Sequence, residues 1–452
     1  MVFYGSGSVY RGLSEQAFEN WENLTSKTFF KEYTQKGLVI ATEKIDLKNE
    51  NLTPAFADHW FAFLKHQPIP FISYPYEWSF GMLKDAALLQ LDLLAASLEE
   101  DMILKDSTPY NIQWNGSSPT FIDIPSFEKL QPGEPWVGYR QFCEMYLFPL
   151  MLTAYKNISH IPFLRGNLEG IPLDQMNNLL SIRDYLRPGV LFHVYLHSKA
   201  QNKYSNTKVD IKSDLRESGF HKTLIEANVK RLKNLVQGLD WKILKTEWSH
   251  YSCFRTYTDN ELAVKKDFVH KASATQRWKL AWDLGCNTGE FTQIISDHCD
   301  YVVGMDVDPL AIEFFYQNLK KKGVKTILPL ISNVADPSPG LGWMNTERKI
   351  LRDRGKPDLI LCLALIHHVV LSANIPLRSF IQWLASLGGA VIIEYVTKDD
   401  PMVKVLLQNK EDNFSDYNQD HFENSLKTFF DIKTSQSLES DTRIIYFAAP
   451  KV

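Results

Sequence analysis

Cysteine is scarce in this sequence, and the few cysteines do not fall into pairs. The 452 residues contain five cysteines, widely spaced and without any C-x-x-C pair. An odd number of isolated cysteines favours reduced thiols over a disulfide framework, as in cytosolic proteins. We therefore predict a cytoplasmic protein. The five cysteines are Cys143, Cys253, Cys286, Cys299 and Cys362.

The sequence also lacks a long hydrophobic run and an excess of charge of one sign. The longest apolar candidate, FCEMYLFPLMLTAY, contains Glu144 and Pro149 and is shorter than a membrane span. The amino terminus lacks the basic start and apolar stretch of a signal peptide. The net charge is only -4, which gives no overall basic field for nucleic acid. We therefore expect neither a membrane nor a nucleic acid as partner.

The chain is longer than a single hydrophobic core usually fills, which predicts two domains. From Trp278 onward, short apolar runs alternate with segments of helical spacing, a pattern typical of a parallel α/β sheet. Two further extended runs flank the polar turn SLESDT and predict a terminal antiparallel hairpin. Residues 271–452 are therefore predicted to form an α/β domain with a Rossmann-like, seven-stranded sheet. The five runs predicted as parallel strands are LAWDLG, YVVGMDV, ILPLIS, DLILCLAL and GAVIIEYV.

Residues 1–270 lack this rhythm and are predicted to form a separate α+β accessory domain with a helical connector. Its first part mixes short β-like runs with one predicted helix at residues 81–100, GMLKDAALLQLDLLAASLEE. The remainder is predicted to be mostly helical. The β-like runs are LVIAT, PIPFIS, NIQW and PTFIDI.

The glycine-containing turn DLGCNTGE, residues 283–290, lacks the residues of two common phosphate-binding loops. It has no lysine after its last glycine, as a P-loop needs, and only two glycines where a dinucleotide fingerprint needs three. The carboxylate of Glu290 would repel phosphate but suits a ligand with an ammonium or sulfonium charge. Asp306 ends the next predicted strand, where it can accept both hydroxyls of a ribose. Together these features predict a positively charged ligand that contains adenosine or a relative.

Residues 278–452 resemble the class I S-adenosylmethionine-dependent methyltransferases. DLGCNTGE, GMDVDP, SNVADP and DLILCLALIHH resemble the first four motifs of that family, in order and at its spacing. The resemblance implies S-adenosyl-L-methionine as cofactor, with Asp306 on the ribose and Asn333 or Asp336 at the adenine edge, although the last two are also typical turn residues. The implied cofactor-binding residues are Asp283, Gly285, Cys286, Asn287, Gly289, Asp306, Asn333, Asp336 and Leu363.

Candidates for the acceptor side follow the fourth and fifth predicted strands. Methyl transfer to a hydroxyl or an acidic carbon needs a base, and His367 or His368 could serve, or could merely cap a helix. Because adjacent side chains tend to point in different directions, we expect at most one of them to face the pocket. Glu394 is a further candidate for acceptor contact. The fourth predicted strand lacks an NPPY-type sequence. This absence favours an oxygen or a carbon of a small molecule as the methyl acceptor.

One stretch of the first half, LKDSTPYNIQWNGSSPTFIDIPSF, resembles the catalytic loop of protein kinases and aminoglycoside phosphotransferases. The resemblance implies that Asp106 orients a hydroxyl and that Asn111 and Asp123 hold magnesium. The stretch departs from that pattern at Leu104, where histidine is expected, and after Asp123, where Ile and Pro follow. A kinase-like or unrelated scaffold that presents the acceptor or a protein partner is the favoured interpretation.

Over its whole length the chain resembles bacterial methyltransferases related to the nodulation protein NoeA, through PWVGYRQFCEMYLFPLM and IIEYVTKDDPMV. We therefore predict a methyltransferase that uses S-adenosylmethionine and acts on a small-molecule acceptor, with a protein partner for the accessory domain as a further expectation. Two alternatives stay open. One is a bifunctional protein that also transfers phosphate from ATP, and the other is a noncatalytic adapter that only binds the cofactor.

Overall fold

A computed structural model describes most of the chain, which divides into two compact units. The described residues are 2–5, 7–47, 59–199, 222–242, 258–408 and 413–451. Among them, no helix is both long enough and apolar enough to cross a membrane. The first unit consists of Met1–Pro70, Tyr74–Trp114 and Ser118–Ile243, and the second of Phe71–Ser73, Asn115–Ser117 and Leu244–Val452.

The division of the chain differs in detail from the predicted boundary after residue 270. Helix Asp259–Ser273 belongs wholly to the second unit, and the predicted boundary falls inside it. This helix begins with a capping box in which Thr258 and Glu261 each accept a backbone N–H of the other. The helix precedes the first strand of its own unit, so a boundary placed where the strand rhythm begins falls within the helix.

The strands of the first unit form one small sheet and two short ribbons. The small sheet is antiparallel and four-stranded, in the order β1-β2-β4-β3. In the ribbons β5 pairs with β8 and β6 with β7. These strands are β1 (Val2–Gly5), β2 (Ser8–Leu13), β3 (Thr42–Ile45), β4 (Ala62–His66), β5 (Met102–Leu104), β6 (Ile112–Asn115), β7 (Ser118–Phe121) and β8 (Phe127–Lys129).

The helices of the first unit are grouped around one long buried helix, α3. The Ser79 hydroxyl accepts the N–H of Met82 and so caps the first turn of α3. Buried residues, mostly leucines and alanines, lie on most faces of this helix. Two π-helical segments, Cys143–Leu147 and Leu191–Leu196, interrupt later helices. The helices are α1 (Glu15–Ser26), α2 (Thr28–Gln35), α3 (Phe80–Glu99), α4 (Tyr139–Phe142), α5 (Phe148–Lys156), α6 (Ile161–Gly166), α7 (Leu173–Leu179) and α8 (Lys222–Gly238).

The predicted mixture of strands and helices is therefore observed in the first unit, but two of the predicted β-like runs are not strands. LVIAT forms only an isolated bridge at Val39, and β3 begins at its last residue, Thr42. The run PIPFIS at residues 68–73 forms no strand, because Pro68 and Pro70 have no N–H to give to a ladder. NIQW and PTFIDI contribute β6 and β7, and the predicted helix is α3. The kinase-like arrangement of this unit stays a prediction.

The second unit contains a seven-stranded sheet in the order β11-β10-β9-β12-β13-β15-β14. The first five strands of that order are parallel, and the last two pair antiparallel at the edge. The predicted sheet and its closing hairpin are thus confirmed. The strands are β9 (Trp278–Leu284), β10 (Cys299–Asp306), β11 (Ile327–Ile331), β12 (Leu359–Cys362), β13 (Ala390–Val396), β14 (Phe430–Ser437) and β15 (Arg443–Pro450).

Burial explains why the central strands read as continuous apolar runs. Every residue of β11, β12 and β13 is buried, as expected for parallel strands covered on both faces. The helices α9 to α14 provide this cover and connect the strands. They are α9 (Asp259–Ser273), α10 (Glu290–Ser296), α11 (Pro309–Lys322), α12 (Leu377–Ser386), α13 (Pro401–Leu407) and α14 (Gln419–Phe429).

The order of the strands determines where a ligand can enter. From β9 the chain moves outward to β10 and β11, and it then returns to the other side of β9 as β12. The connections on the two sides of β9 therefore diverge, which opens a crevice at the carboxyl ends of β9 and β12. The residues that follow these strands carry most of the sequence-predicted site.

Candidate cofactor-binding site

The turn after β9 is held against the end of β10 by its backbone. The N–H groups of Gly285 and Cys286 both donate to the Met305 carbonyl, at 2.8 and 3.0 Å. Gly285 has a φ of +78°, and Gly289, the N-cap residue of α10, has a φ of +82°. A Cβ on Gly289 would lie 2.1 Å from the Phe315 ring. Gly289 therefore permits the close packing of α10 on α11.

Asp306, the last residue of β10, is fixed in place by this turn. One of its carboxylate oxygens accepts the N–H of Asn287 at 2.8 Å, and the other accepts the N–H of Asp308 at 2.9 Å. Burial raises the pKa of Asp306, and these hydrogen bonds oppose the rise. The carboxylate thus has a defined orientation at the carboxyl end of the sheet, and its binding of a ribose stays a prediction.

Asp283 lies at the end of the neighbouring strand and is almost completely buried. Its carboxylate accepts a hydrogen bond from the Thr292 hydroxyl at 2.6 Å. Burial raises the pKa of Asp283 to about 7, and the negative charge of Asp306 acts in the same direction. Two acidic side chains therefore occupy adjacent strand ends, where a cationic ligand would stabilise their ionised forms.

A cavity of about 1640 Å³ opens at this edge of the sheet. Its wall comes from the turn after β9, the ends of β10, β11 and β12, and helix α9. Eight of the sequence-predicted residues lie on the wall, and four do not: Gly289, Asp336, His367 and Glu394. The eight on the wall are Asp283, Gly285, Cys286, Asn287, Asp306, Asn333, Leu363 and His368.

The segment after β11 supplies a polar part of this wall. Asn333 forms an Asx turn, because its side-chain oxygen accepts the N–H of Ala335 at 2.9 Å, and its carbonyl accepts the N–H of Asp336 at 3.0 Å. Beside it, the hydroxyl of Ser332 is buried and has no hydrogen-bond partner among the described residues. A ligand with polar atoms at this point would satisfy that hydroxyl.

These features fit an adenosine group that carries a positive charge. The Asp306 carboxylate is oriented to accept hydrogen bonds from hydroxyl groups. The Ser332 hydroxyl can form a hydrogen bond with a polar atom of a ligand, and the Asp283 carboxylate favours a cation. The residues present are therefore compatible with S-adenosylmethionine, and two close carboxylates at this position would disfavour a pyrophosphate.

The two histidines after β12 have different environments, as predicted for adjacent side chains. The backbone bends sharply before them, with Ala364 at a φ of +49°, and a π-helical segment follows over His368–Ser372. Such strain and π-helical turns are frequent at functional sites. His368 lies on the cavity wall, and burial lowers its pKa. His367 is buried behind the wall, where burial lowers its pKa to about 3.

Glu394 is placed differently from the acceptor contact that we predicted. It is completely buried in β13, behind the cavity wall. Its carboxylate lies 2.6 Å from Lys265 Nζ and 3.6 Å from Arg443 Nη1. Arg443 in turn pairs with Asp400 at 2.7 Å. Glu394 therefore belongs to a buried network of four alternating charges.

A comparison with characterised proteins identifies the family. The chain is 35% identical over 386 residues to the nodulation protein NoeA of Rhizobium meliloti (strain 1021). The alignment spans 85% of this chain and 81% of that protein. The chain belongs to the NoeA family. The resemblance to NoeA-related proteins noted from the sequence is thereby confirmed, although no protein-family model matches this NoeA relative.

Solved structures align with less than half of this NoeA-family chain. The N-methyltransferase NodS of Bradyrhizobium japonicum WM9, in complex with S-adenosyl-L-homocysteine, is 14% identical with a TM-score of 0.34 and covers 46% of this chain and 98% of its own. The PH0226 protein of Pyrococcus horikoshii OT3 is 17% identical with a TM-score of 0.32 and covers 45% of this chain and 99% of its own. At such scores the alignments say nothing of function, and the strand order itself defines the fold.

The predicted kinase-like residues of the NoeA-family chain are brought together in the first unit. The Ser126 hydroxyl lies within hydrogen-bond distance of the carboxylates of Asp106 and Asp123, and Asn111 donates to it at 3.3 Å. Asp123 also forms an ion pair with Arg11 of β2. Among the described residues, no group of three or more His, Cys, Asp or Glu side chains could hold a metal ion. The magnesium-binding role of Asn111 and Asp123 therefore stays a prediction.

Lys265 is one of several residues of the cavity wall that the sequence did not reveal in this NoeA relative. Lys265 of α9 lines the cavity although its side chain is only 2% exposed. The signal was its spacing, since Lys265 lies three residues after Leu262 and four before Val269, on the buried face of an amphipathic helix. A lysine at a core position of a helix is rare enough to have been singled out.

Proposed function

We propose that the protein is a methyltransferase that takes its methyl group from S-adenosylmethionine and acts on a small-molecule acceptor. The observation that supports this most directly is the fixed carboxylate of Asp306 on the cavity wall, beside a turn that has acidic residues in place of phosphate-binding ones. When bound, the cofactor supplies an electrophilic methyl group on a positively charged sulfur. The residues of this chain bind and orient it.

The acceptor is proposed to present an oxygen or a carbon. His368 supports this proposal, because it is a neutral imidazole on the wall and can take a proton from a hydroxyl or an acidic carbon. His367 and Glu394 lie behind the wall, so they are not proposed as bases. A small molecule is favoured over nucleic acid by the net charge of -4. A protein partner for the first unit and a cytoplasmic location complete the proposal.

Transfer of labelled methyl tests this function. The full chain is incubated with methyl-labelled S-adenosylmethionine and a small-molecule extract of bacterial cells, and label in small products is measured by chromatography. We expect label to appear with the wild-type chain and to fall by about tenfold or more with Asp306→Asn when the cofactor is below saturation. An Asp358→Asn variant is the matched control, because Asp358 precedes β12 at the opposite, amino-terminal edge of the sheet.

A noncatalytic adapter makes the opposite prediction in the same experiment. It would bind S-adenosylhomocysteine, detected as a rise in melting temperature, but would give no labelled product with any extract. Binding without label would therefore contradict the enzymatic proposal, whereas labelled protein and no labelled small molecule would contradict the acceptor class.

A further inference from the structure

Four large apolar side chains are exposed on two short segments of the first unit that follow α7. Ile182 and Leu186, at the two ends of a short 3₁₀ helix, are 84% and 92% exposed. Phe192 and Leu196, on the second π-helical segment, are 67% and 43% exposed. We call these four residues the apolar patch. Exposed apolar residues that cluster on a folded protein mark a surface that binds another molecule or a membrane.

The two segments of the apolar patch lie side by side and are fixed to the unit. The rings of Tyr185 and Tyr195, one from each segment, are 4.9 Å apart. Between the segments, Val190 is completely buried, and a Cβ on Gly189 would lie 2.4 Å from the Leu235 side chain. The chain between the segments is therefore packed against α8, and the apolar patch projects from a firmly held base.

The charge beside the apolar patch is mainly positive. Residues 181–199 contain one acidic residue, Asp184, and it is buried. Its carboxylate lies 2.9 Å from Lys156 Nζ and 3.0 Å from Arg187 Nε, so two cations share this one anion. The buried acid also accepts the N–H and the hydroxyl of Ser181, which caps the 3₁₀ helix. The ion pairs of Asp184 therefore leave a surplus of positive charge.

Two further basic residues add to this charge. Arg183 is exposed and lies within the 3₁₀ helix that carries Ile182 and Leu186. Lys199 is also exposed, and its Nζ is 4.5 Å from the centre of the Tyr195 ring. Protruding aliphatic side chains, tyrosines at their base and basic residues around them are typical of a surface that lies in the interface of an anionic membrane.

We propose that the apolar patch inserts into the headgroup region of a membrane that contains anionic lipids, with Arg183 and Lys199 against the lipid phosphates. Ile182 and Leu186 protrude almost fully, so acyl chains can surround them without a matching recess. A long hydrophobic run is needed only to span a bilayer, so the expectation of no membrane partner is replaced for this surface. Binding of this kind does not depend on the cofactor.

Binding of the full chain to lipid vesicles tests this proposal. The chain is mixed with vesicles of phosphatidylglycerol and phosphatidylcholine in equal parts, or of phosphatidylcholine alone, and the bound fraction is measured by flotation. Each basic residue near an anionic leaflet strengthens binding by about fivefold, so we expect the mixed vesicles to bind about tenfold or more tightly. Arg183→Gln with Lys199→Gln should remove most of this preference.

A second double variant tests the apolar side chains. Ile182→Gln with Leu186→Gln should lower the affinity for the mixed vesicles by about tenfold or more, because neither side chain can then bury its apolar surface among acyl chains. Both residues are exposed, so the melting temperature should not change. Val405→Gln is the matched control, because Val405 is exposed on α13 of the second unit, and it should bind like the wild type.

The proposal would be overturned if the wild type bound neither kind of vesicle, or if Ile182→Gln with Leu186→Gln bound as tightly as the wild type. Equal affinity of the wild type for the two kinds of vesicle would contradict the role of the basic residues. Sedimentation without lipid examines a second copy of the chain as the partner. A dimer that Ile182→Gln with Leu186→Gln converts to a monomer, without vesicle binding by the wild type, would assign the apolar patch to that copy and overturn the membrane proposal.

Discussion

At the scale of single residues, acidity and burial determine how the cavity would respond to pH. Asp283 has a pKa of about 7, because burial outweighs the hydrogen bond from Thr292 and the charge of Lys265. Below pH 7 it is mostly protonated and cannot pair with the ammonium of a ligand. Above pH 7 it is mostly ionised and can. Affinity for a ligand with an ammonium group is thus linked to this one proton.

We accordingly predict that S-adenosylhomocysteine binds about tenfold more tightly at about pH 8 than at about pH 6, as expected when binding requires the loss of one proton. The binding constant is measured by calorimetry in buffers of different ionisation enthalpy, which also gives the number of protons released. Asp283→Asn should bind more weakly and with little dependence on pH. An unchanged pH dependence in that variant would show that another group titrates.

A second prediction concerns His368 as the base that removes a proton from the acceptor. If it removes the proton of the acceptor, His368→Gln should lower turnover by about a hundredfold or more and leave the affinity for S-adenosylhomocysteine within about twofold. The measurement compares the rate of label transfer with the binding constant. His270→Gln, on the exposed side of α9, is the control. Equal effects on rate and affinity would instead give His368 a role in binding the cofactor.

At the scale of elements, the junction of β9 and α10 depends on a glycine for packing as well as for conformation. Gly289 has a positive φ, and a Cβ there would overlap the Phe315 ring of α11. Gly323 also has a positive φ, at the end of α11, but a Cβ there would meet nothing within 4 Å. A comparison of alanine substitutions at Gly289 and Gly323 therefore separates the free energy of backbone strain from that of steric overlap.

We predict that Gly323→Ala lowers the free energy of unfolding by about 1 to 2 kcal/mol, the usual energy of a left-handed alanine. Gly289→Ala should lower it by about 1 to 3 kcal/mol more, because the overlap forces α10 and α11 apart. Both values come from denaturant titration. Equal losses for the two variants would mean that Phe315 moves aside without energetic penalty, and Gly289 would then matter only for its backbone.

The elements also show what a sequence can and cannot reveal. The strands of the second unit were predictable because each is a short apolar run buried on both faces, and β10 ends at the acidic residue that fixes the turn. PIPFIS was mistaken for a strand because its apolar character outweighed its prolines. Glu394 was placed in the pocket because it ends an apolar run, and only the fold shows that Lys265 and Arg443 enclose it.

Lys265 illustrates the general limit of sequence reasoning. Its cation reaches the cavity through a helix that precedes the sheet in the chain, so no motif of the sheet contains it. Contacts between distant segments follow from packing, and spacing along the chain does not specify them. The cofactor residues that could be predicted are those next to a strand end, where topology alone brings them together.

At the scale of the whole molecule, the likeness to NoeA involves both units. The alignment covers 386 residues, which is more than the residues of either unit alone, so the relative shares parts of both. Part of the first unit is therefore shared with this relative. In this unit the side chains of Asp106, Asn111 and Asp123 are hydrogen-bonded to the Ser126 hydroxyl, and Asp123 also forms an ion pair with Arg11.

The ion pair between Arg11 and Asp123 leads to a prediction about the binding of ATP to the full chain. Because Arg11 already pairs with Asp123, we expect ATP with magnesium to leave the melting temperature of the full chain unchanged, whereas S-adenosylhomocysteine raises it. The measurement is a thermal-shift titration with the two ligands in parallel. A rise with ATP and magnesium that Asp123→Asn removes would restore the bifunctional alternative.

We propose that the cavity at the ends of β9, β10 and β12 binds S-adenosylmethionine through Asp306. Calorimetric titration of the full chain with S-adenosylhomocysteine tests it most directly. We predict one binding site on the wild-type chain, and an affinity about tenfold to a hundredfold lower in Asp306→Asn, which keeps the size of the side chain but removes its charge. NADH should not bind. Absence of binding to the wild type would mean that the cavity is not a site for this cofactor, and equal affinity in the variant would mean that Asp306 does not bind it.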